Sequence, residues 1–177
     1  MKHHFLQCLS ALLLFFTFSP SAMSAAVNQA PEFTHKQASA WINSKPLQLA
    51  DLKGKVILLD IWSYGCWNCY RSFPWTNDLE HRLKDKDFVV IGVHAPEFDH
   101  ERDRNKVVAK AKEFKLNHPI MMDNDFSYWN ALGNQYWPTF YLIDKQGRLR
   151  AKFFGETHKG DRKARKIEAS IEFLLKE

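Results

Sequence analysis

The sequence predicts an α/β protein whose central mixed sheet is flanked by helices, and three observations carry that reading. Two apolar runs, Val56–Trp62 and Phe88–Val93, are continuous, not alternating, as expected of strands covered on both faces. Stretches of helical character, Cys66–Leu83 and Glu101–Phe114, separate these strands from each other and from the next one. Late in the chain, Thr139–Ile143 and Leu149–Phe154 flank Asp144-Lys-Gln-Gly147, a hairpin signature. The resulting order is β-α-β-α-β-α-β-β-α, with parallel strands first and an antiparallel hairpin last.

Taken in order, the chain opens with Lys2, an apolar run from Leu9 to Phe18, and small residues from Ser21 to Ala26. A short charged start, an apolar segment of about ten residues and a small-residue exit describe a secretory signal peptide, assigned to 1–26. An uncleaved anchor is the lesser alternative, because Pro20 ends the run short of the ~20 apolar residues a membrane span needs. Residues 27–177 then form one domain. Ala38–Ile42 reads as a short strand or hairpin start, and 45–55 as a strand edge ending in a turn at Lys53-Gly54. Asp60 is the odd residue in its strand. The helix Cys66–Leu83 contains Pro74, which removes one backbone bond and favours a kink. Pro119–Met122 is a third strand. Asp123–Asp125 leads into a helix over 126–132, stopped by Gly133. Arg162–Lys176 closes the chain as an amphipathic helix with Ile167, Ile171, Leu174 and Leu175 inward.

Composition narrows the function. The chain has 177 residues, three cysteines and a net charge of +5. Loss of Lys2 with the leader takes Lys+Arg from 25 to 24 against 20 acids, a net +4. The basic cluster Lys159, Arg162, Lys163, Arg165, Lys166 is interrupted by Asp161 and Glu168, the pattern of a solvated helix face. No nucleic-acid module is indicated. Cys8 leaves with the leader, so two cysteines remain in an exported chain, where disulfides persist.

Those two, Cys66 and Cys69, stand in Trp62-Ser-Tyr-Gly-Cys-Trp-Asn-Cys, between a strand and a helix. At a helix start, positions i and i+3 share a face about 5–6 Å apart, so a small adjustment closes a disulfide. Unpaired backbone N–H groups and the helix dipole favour the thiolate, the reactive form of the first cysteine. As a structural staple so short a loop adds only roughly 2 kcal/mol, and a domain of this size does not need it. The pair is built to open and close.

The motif Trp62-Ser-Tyr-Gly-Cys-Trp-Asn-Cys, with Val90-Ile-Gly-Val-His-Ala-Pro-Glu-Phe and Asp123-Asn-Asp…Trp129-Asn…Gly133-Asn-Gln-Tyr-Trp-Pro, resembles the exported thioredoxin-like proteins of the TlpA/ResA group. It is closer still to the thioredoxin-like domain of DipZ-type proteins, over about residues 45–175. The resemblance implies a thioredoxin-like fold with a helix-bearing insertion over 95–115, and Cys66 as the more exposed nucleophile with Cys69 resolving. It implies that Asp60 is a buried acid beneath Cys69, exchanging a proton with it, and that Glu97 is an acid near the dithiol that tunes it. It implies a cis bond before Pro138, with Trp137, Pro138, Thr139 and Trp67 on the substrate side. Tyr64 and Tyr136 would join Trp67 and Trp137 in an aromatic rim, whereas Trp62 reads as core and His94 as a packing residue. The Trp67-Asn68 dipeptide departs from the Gly-Pro of common thioredoxins, which leaves the direction of electron flow open.

The function expected is an exported, periplasmic thiol-disulfide oxidoreductase acting on protein disulfides, most simply as a reductase. It needs no cofactor beyond the Cys66–Cys69 pair and no metal. Implied partners are protein dithiol or disulfide substrates, apocytochrome c among them in cytochrome c maturation, and a membrane electron donor of the DsbD/CcdA type. Two alternatives use the same cysteines. A copper-binding or metallochaperone module would add a histidine such as His94 or His158, yet no third soft ligand has a recognised spacing. A thiol peroxidase would carry a Thr shortly before its cysteine, where this chain has Ser63-Tyr64-Gly65.

Overall fold

A computed structural model describes residues 28–177; the expected signal peptide lies outside them. Six strands are present among the described residues: β1 (Trp41–Ile42), β2 (Val56–Trp62), β3 (Phe88–His94), β4 (Ile120–Met122), β5 (Thr139–Ile143) and β6 (Leu149–Phe154). Four α-helices accompany them: α1 (Trp67–Arg82), α2 (Arg104–Glu113), α3 (Ser127–Ala131) and α4 (Arg162–Lys176).

The strands form one mixed sheet in the order β1-β4-β3-β2-β5-β6. β3 runs parallel to β2 and β4, while β5 is antiparallel to β2, β6 to β5 and β1 to β4. β2 is central and all seven of its residues are buried, which is why its sequence does not alternate. Its residues still divide between two faces, because successive side chains point to opposite sides. Val56 and Leu58 pack with Trp75 and Leu79 of α1 and with Ala164, Ile167, Ile171 and Leu174 of α4. Ile57, Leu59 and Ile61 pack on the other side with Phe33, Trp41 and Tyr128. A third cluster gathers Trp62, Cys66, Cys69 and Phe73 with Val107 and Ala111 of α2.

Three sequence expectations change. The stretch 45–55 is not a strand edge: Leu49–Leu52 is a 3-10 turn, held by reciprocal side-chain and backbone bonds between Gln48 and Asp51. These local bonds supply partners that a strand would have to find elsewhere. The single helix expected over Glu101–Phe114 is broken. Asp99–Arg102 forms a 3-10 turn, and Asp103, in extended backbone, caps α2 by accepting from Asn105 N and Lys106 N. β1 makes no hairpin and instead pairs with β4. Pro74 does not end α1, which runs through it, and Gly133 (φ 56) follows α3 as expected.

Candidate active site

Cys66 is the N-cap of α1, and its Sγ accepts a hydrogen bond from Cys69 N at 3.2 Å. The two cysteines are disulfide-bonded, with Cα atoms 5.3 Å apart. Cys66 retains 6% exposure and Cys69 none, so an incoming sulfur reaches Cys66 first. When the bond opens, the Cys66 sulfur keeps a backbone donor and the positive end of α1, both of which favour its thiolate.

Asp60 lies buried on the face of β2 that meets α1. Its carboxyl is pushed up to about 7, because burial penalises the charge; His118 and a bond from Thr76 Oγ1 pull the other way. That bond is long, 3.5 Å to Oδ2, and Oδ1 has no partner among the described residues. Thr76 stands two turns along α1 from Cys69, so Asp60 sits under the helix face that carries the second cysteine. A carboxyl that titrates near neutrality is suited to take and return a proton.

The acid buried behind the turn before Cys66 is Glu101, and Glu97 lies at the surface, as a solvated loop glutamate would. Glu97 is exposed, and its contribution is its backbone N–H, which donates to Glu101 Oε2 at 2.7 Å. Glu101 is fully buried and also accepts from Ser63 Oγ, which in turn accepts from Gly65 N at 3.3 Å. A Cβ on Gly65 would run into Glu101 Oε1, so the carboxylate lies directly against the turn before Cys66 and a larger residue there would displace it. Sequence reasoning missed Glu101 because it reads as the first charged residue of a solvated helix. The small residues Ser63 and Gly65 ahead of the cysteine were the available signal.

The Trp137–Pro138 bond is cis. Trp137 packs against the cluster that holds both cysteines, but its ring turns inward: Nε1 donates to Ala95 O at 3.0 Å and the indole lies against Trp129. The Thr139 side chain is fully buried and donates to Tyr136 O at 2.7 Å, so it is not open to a substrate. Of the expected rim, Trp67 and Tyr136 are exposed, at 67% and 57%. Tyr64 is instead a strut, its hydroxyl donating to His100 O at 2.6 Å. Trp62 is core, as read. His94 packs between Trp62 and Tyr64 and accepts from Tyr64 N through Nε2; burial depresses it to about 3, so the ring is neutral.

Beside Cys66, a groove between α1 and α2 is lined by Trp67, Tyr70, Pro74 and Phe114 with the cations Arg71 and Lys110. Away from the cysteines, His35, Asp123 and Asp125 converge closely enough to hold a cation. Asp123 has a structural task there, accepting from Tyr128 N and Trp129 N at the start of α3.

Residues 25–171 match the family model described as Redoxin. Protein DipZ of Mycobacterium bovis is 40% identical over 124 residues, 68% of this chain and 18% of that protein. Thiol-disulfide oxidoreductase YkuV of Bacillus subtilis is 31% identical over 120 residues, 68% of this chain and 79% of that one. The chain spans only 12% to 18% of the length of the curated relatives it matches at 40% identity. Among solved structures, a thioredoxin-like superfamily protein superposes with a TM-score of 0.73 at 27% identity, covering 84% of this chain and 97% of its own. With a bonded Cys-x-x-Cys pair capping the first helix of a thioredoxin-like fold, and a family model matched over most of its length, the chain belongs to the Redoxin family.

Proposed function

We propose that this chain is exported to the periplasm and there reduces disulfides of protein substrates. The observation that carries the reading is the asymmetry of the pair, a Cys66 that keeps slight exposure at a helix N-terminus and a fully buried Cys69 on the helix face that covers the protonatable Asp60. In the reduced protein the Cys66 thiolate attacks a substrate disulfide, forming a mixed disulfide and expelling one substrate thiolate, which takes a proton from solvent. Cys69 then gives its proton to Asp60 and attacks Cys66. The Cys66–Cys69 bond forms, the mixed disulfide breaks, and the second substrate sulfur leaves as a thiolate. Two electrons have passed from the pair to the substrate, with no cofactor beyond the pair itself.

The leader over 1–26 supports export. The likeness to DipZ and to the TlpA/ResA group supports the reducing direction and a membrane electron donor of the DsbD/CcdA type to reopen the pair. The deciding measurement is the reduction potential, read by tryptophan fluorescence after equilibration with glutathione or dithiothreitol. Trp62 and Trp67 flank the site and report its state. A value near about −270 mV is expected of a reductase; one near about −120 mV would make the protein a disulfide donor and reverse the assignment.

A further inference from the structure

The groove beside Cys66 is built from two helices. α1 contributes Trp67, Tyr70, Arg71 and Pro74; Lys110 and Glu113 of α2 and its C-cap Phe114 face them, and His158 completes the lining. Its volume is about 710 Å³, room for several side chains. The floor is fixed by aromatic packing. Tyr70 and Phe114 stack with ring centroids 4.3 Å apart, Phe73 packs against both, and Trp67 meets Tyr70 edge-on at 6.4 Å. Tyr70 and Phe114 also pack on the cluster that holds both cysteines, so the groove and the dithiol share one support. Trp67, the residue after Cys66, leaves most of its indole in water, an amphipathic surface of the kind a partner covers. Elsewhere around the pair the expected substrate contacts are closed, Trp137 being tied to Ala95 O and Thr139 buried.

The α2 wall is basic. Arg104, Lys106, Lys110 and Lys112 stand on that helix against Glu113 alone. Lys110 lies over the rings of Tyr70 and Phe114, 5.9 and 5.8 Å from their centroids, and Lys106 is one turn before it on the same face. The carboxylate partner of Lys110 is Glu113 at 2.9 Å, an exposed pair of the kind that contributes little, so an incoming carboxylate can take its place. Arg71 is already committed, paired with Glu156 at 2.7 Å. The groove therefore offers an aromatic floor next to the reactive cysteine and, above that floor, a cation open to re-pairing.

We propose that this groove holds the stretch of substrate chain beside the attacked cysteine, and that it selects extended segments with an aromatic side chain two residues, and an acidic one four residues, from that cysteine. The inference rests on the reading of the pair as a reductant of protein disulfides. In the mixed disulfide the substrate sulfur is bonded to Cys66, which anchors the substrate chain at the Trp67 end of the groove. Side chains of an extended segment alternate, so when the cysteine faces this protein the residues two and four positions away face it too. The second lies about 7 Å along, over Trp67 and Tyr70, and the fourth about 13 Å along. The groove from Trp67 to Pro74 runs about 10 Å along α1, and the Lys110 side chain extends over its far part. An aromatic ring at the nearer position covers the exposed indole, and a carboxylate at the farther one pairs with Lys110.

The probe is a peptide with one central cysteine, phenylalanine two residues and glutamate four residues to either side, and serine elsewhere, joined to a second copy of itself through its disulfide. Two counterparts carry lysine for glutamate, or serine for phenylalanine. Each is mixed with reduced protein and the released peptide thiol is measured after an acid quench. Cys66 attacks one peptide sulfur and the other peptide leaves; Cys69 then displaces the first, so one oxidised pair and two peptide thiols result. At low salt the glutamate peptide is expected to react roughly fivefold faster than the lysine peptide, and roughly threefold faster than the peptide without phenylalanine. Lys110→Glu should reverse the first preference and Trp67→Ala should remove the second. Lys53→Glu makes the same change of charge at an exposed site before β2, and should keep both. Equal rates for the three peptides overturn the groove and leave the reductase reading standing. Loss of the charge preference in Lys53→Glu as well assigns it to net charge and also overturns the groove. A parent that reduces hydroxyethyl disulfide but none of the peptides removes the underlying reading.

Discussion

Asp60 holds an ionisable group in a wholly buried strand with one long hydrogen bond, and its folded pKa of about 7 lies above the ordinary 3.8. The folded state therefore binds this proton more tightly than the unfolded chain. The associated stability is fully present below about pH 4, declines as pH rises, and is gone above about pH 7. The difference is on the order of 4 kcal/mol. Asp60→Asn, in the oxidised protein, is expected to be more stable than the parent at pH 8 by a few kcal/mol and to show little change between pH 5 and 8. Urea denaturation at the two pH values measures this, and a parent with flat stability would refute it. Such a cost is consistent with a residue kept for proton transfer. Asp60 was legible in the sequence because a charge interrupts an apolar run. Glu101, equally buried, was not, because it stands among other charges and its partner Ser63 is 38 residues away.

Among elements, the β5–β6 hairpin depends on one carboxylate. Burial by itself would raise Asp144, but backbone N–H groups of Arg148 and Gln146 and the guanidinium groups of Arg148 and Arg150 outweigh it and hold it below the usual carboxylate range. A depressed carboxylate contributes stability that is present above its ordinary pKa and is lost as pH falls through the folded one, below about pH 4. Asp144→Asn leaves two cations short of their shared partner and is expected to cost about 3 kcal/mol at pH 7, by denaturant unfolding. That difference should shrink toward pH 3; a constant difference would show that shape, not charge, holds the turn. The hairpin itself was readable from Asp144 to Gly147, since glycine takes φ 82 there. The break between the Asp99–Arg102 turn and α2 was not, because the capping Asp103 lies inside a run of charges that fits a helix face equally well.

For the whole molecule, the two sheet faces carry separate apolar clusters, and neither requires the disulfide. Reduction is therefore expected to leave the fold intact and to cost only about 2 kcal/mol, as for so short a closed loop. Far-UV circular dichroism with urea titration of both redox forms checks this; unfolding on reduction would make the pair a staple. What links the pair to the rest is the third cluster, where α2 meets Trp62, Cys66 and Phe73.

By itself the sequence determined the strand and helix order, the dithiol at a strand-to-helix junction, the core faces of β2 and α4, and the acid at Asp60. All of these are local, carried by periodicity, spacing or one residue out of pattern. Only the tertiary structure decided that Glu101 rather than Glu97 is the buried second acid, that Trp137 is tied to Ala95 O while Thr139 is buried, and that Trp62 and His118 close over the backbone of Gly92. Each depends on which residues meet across the sheet or from a distant loop, and burial, which sets both pairing and charge state, is a property of that meeting.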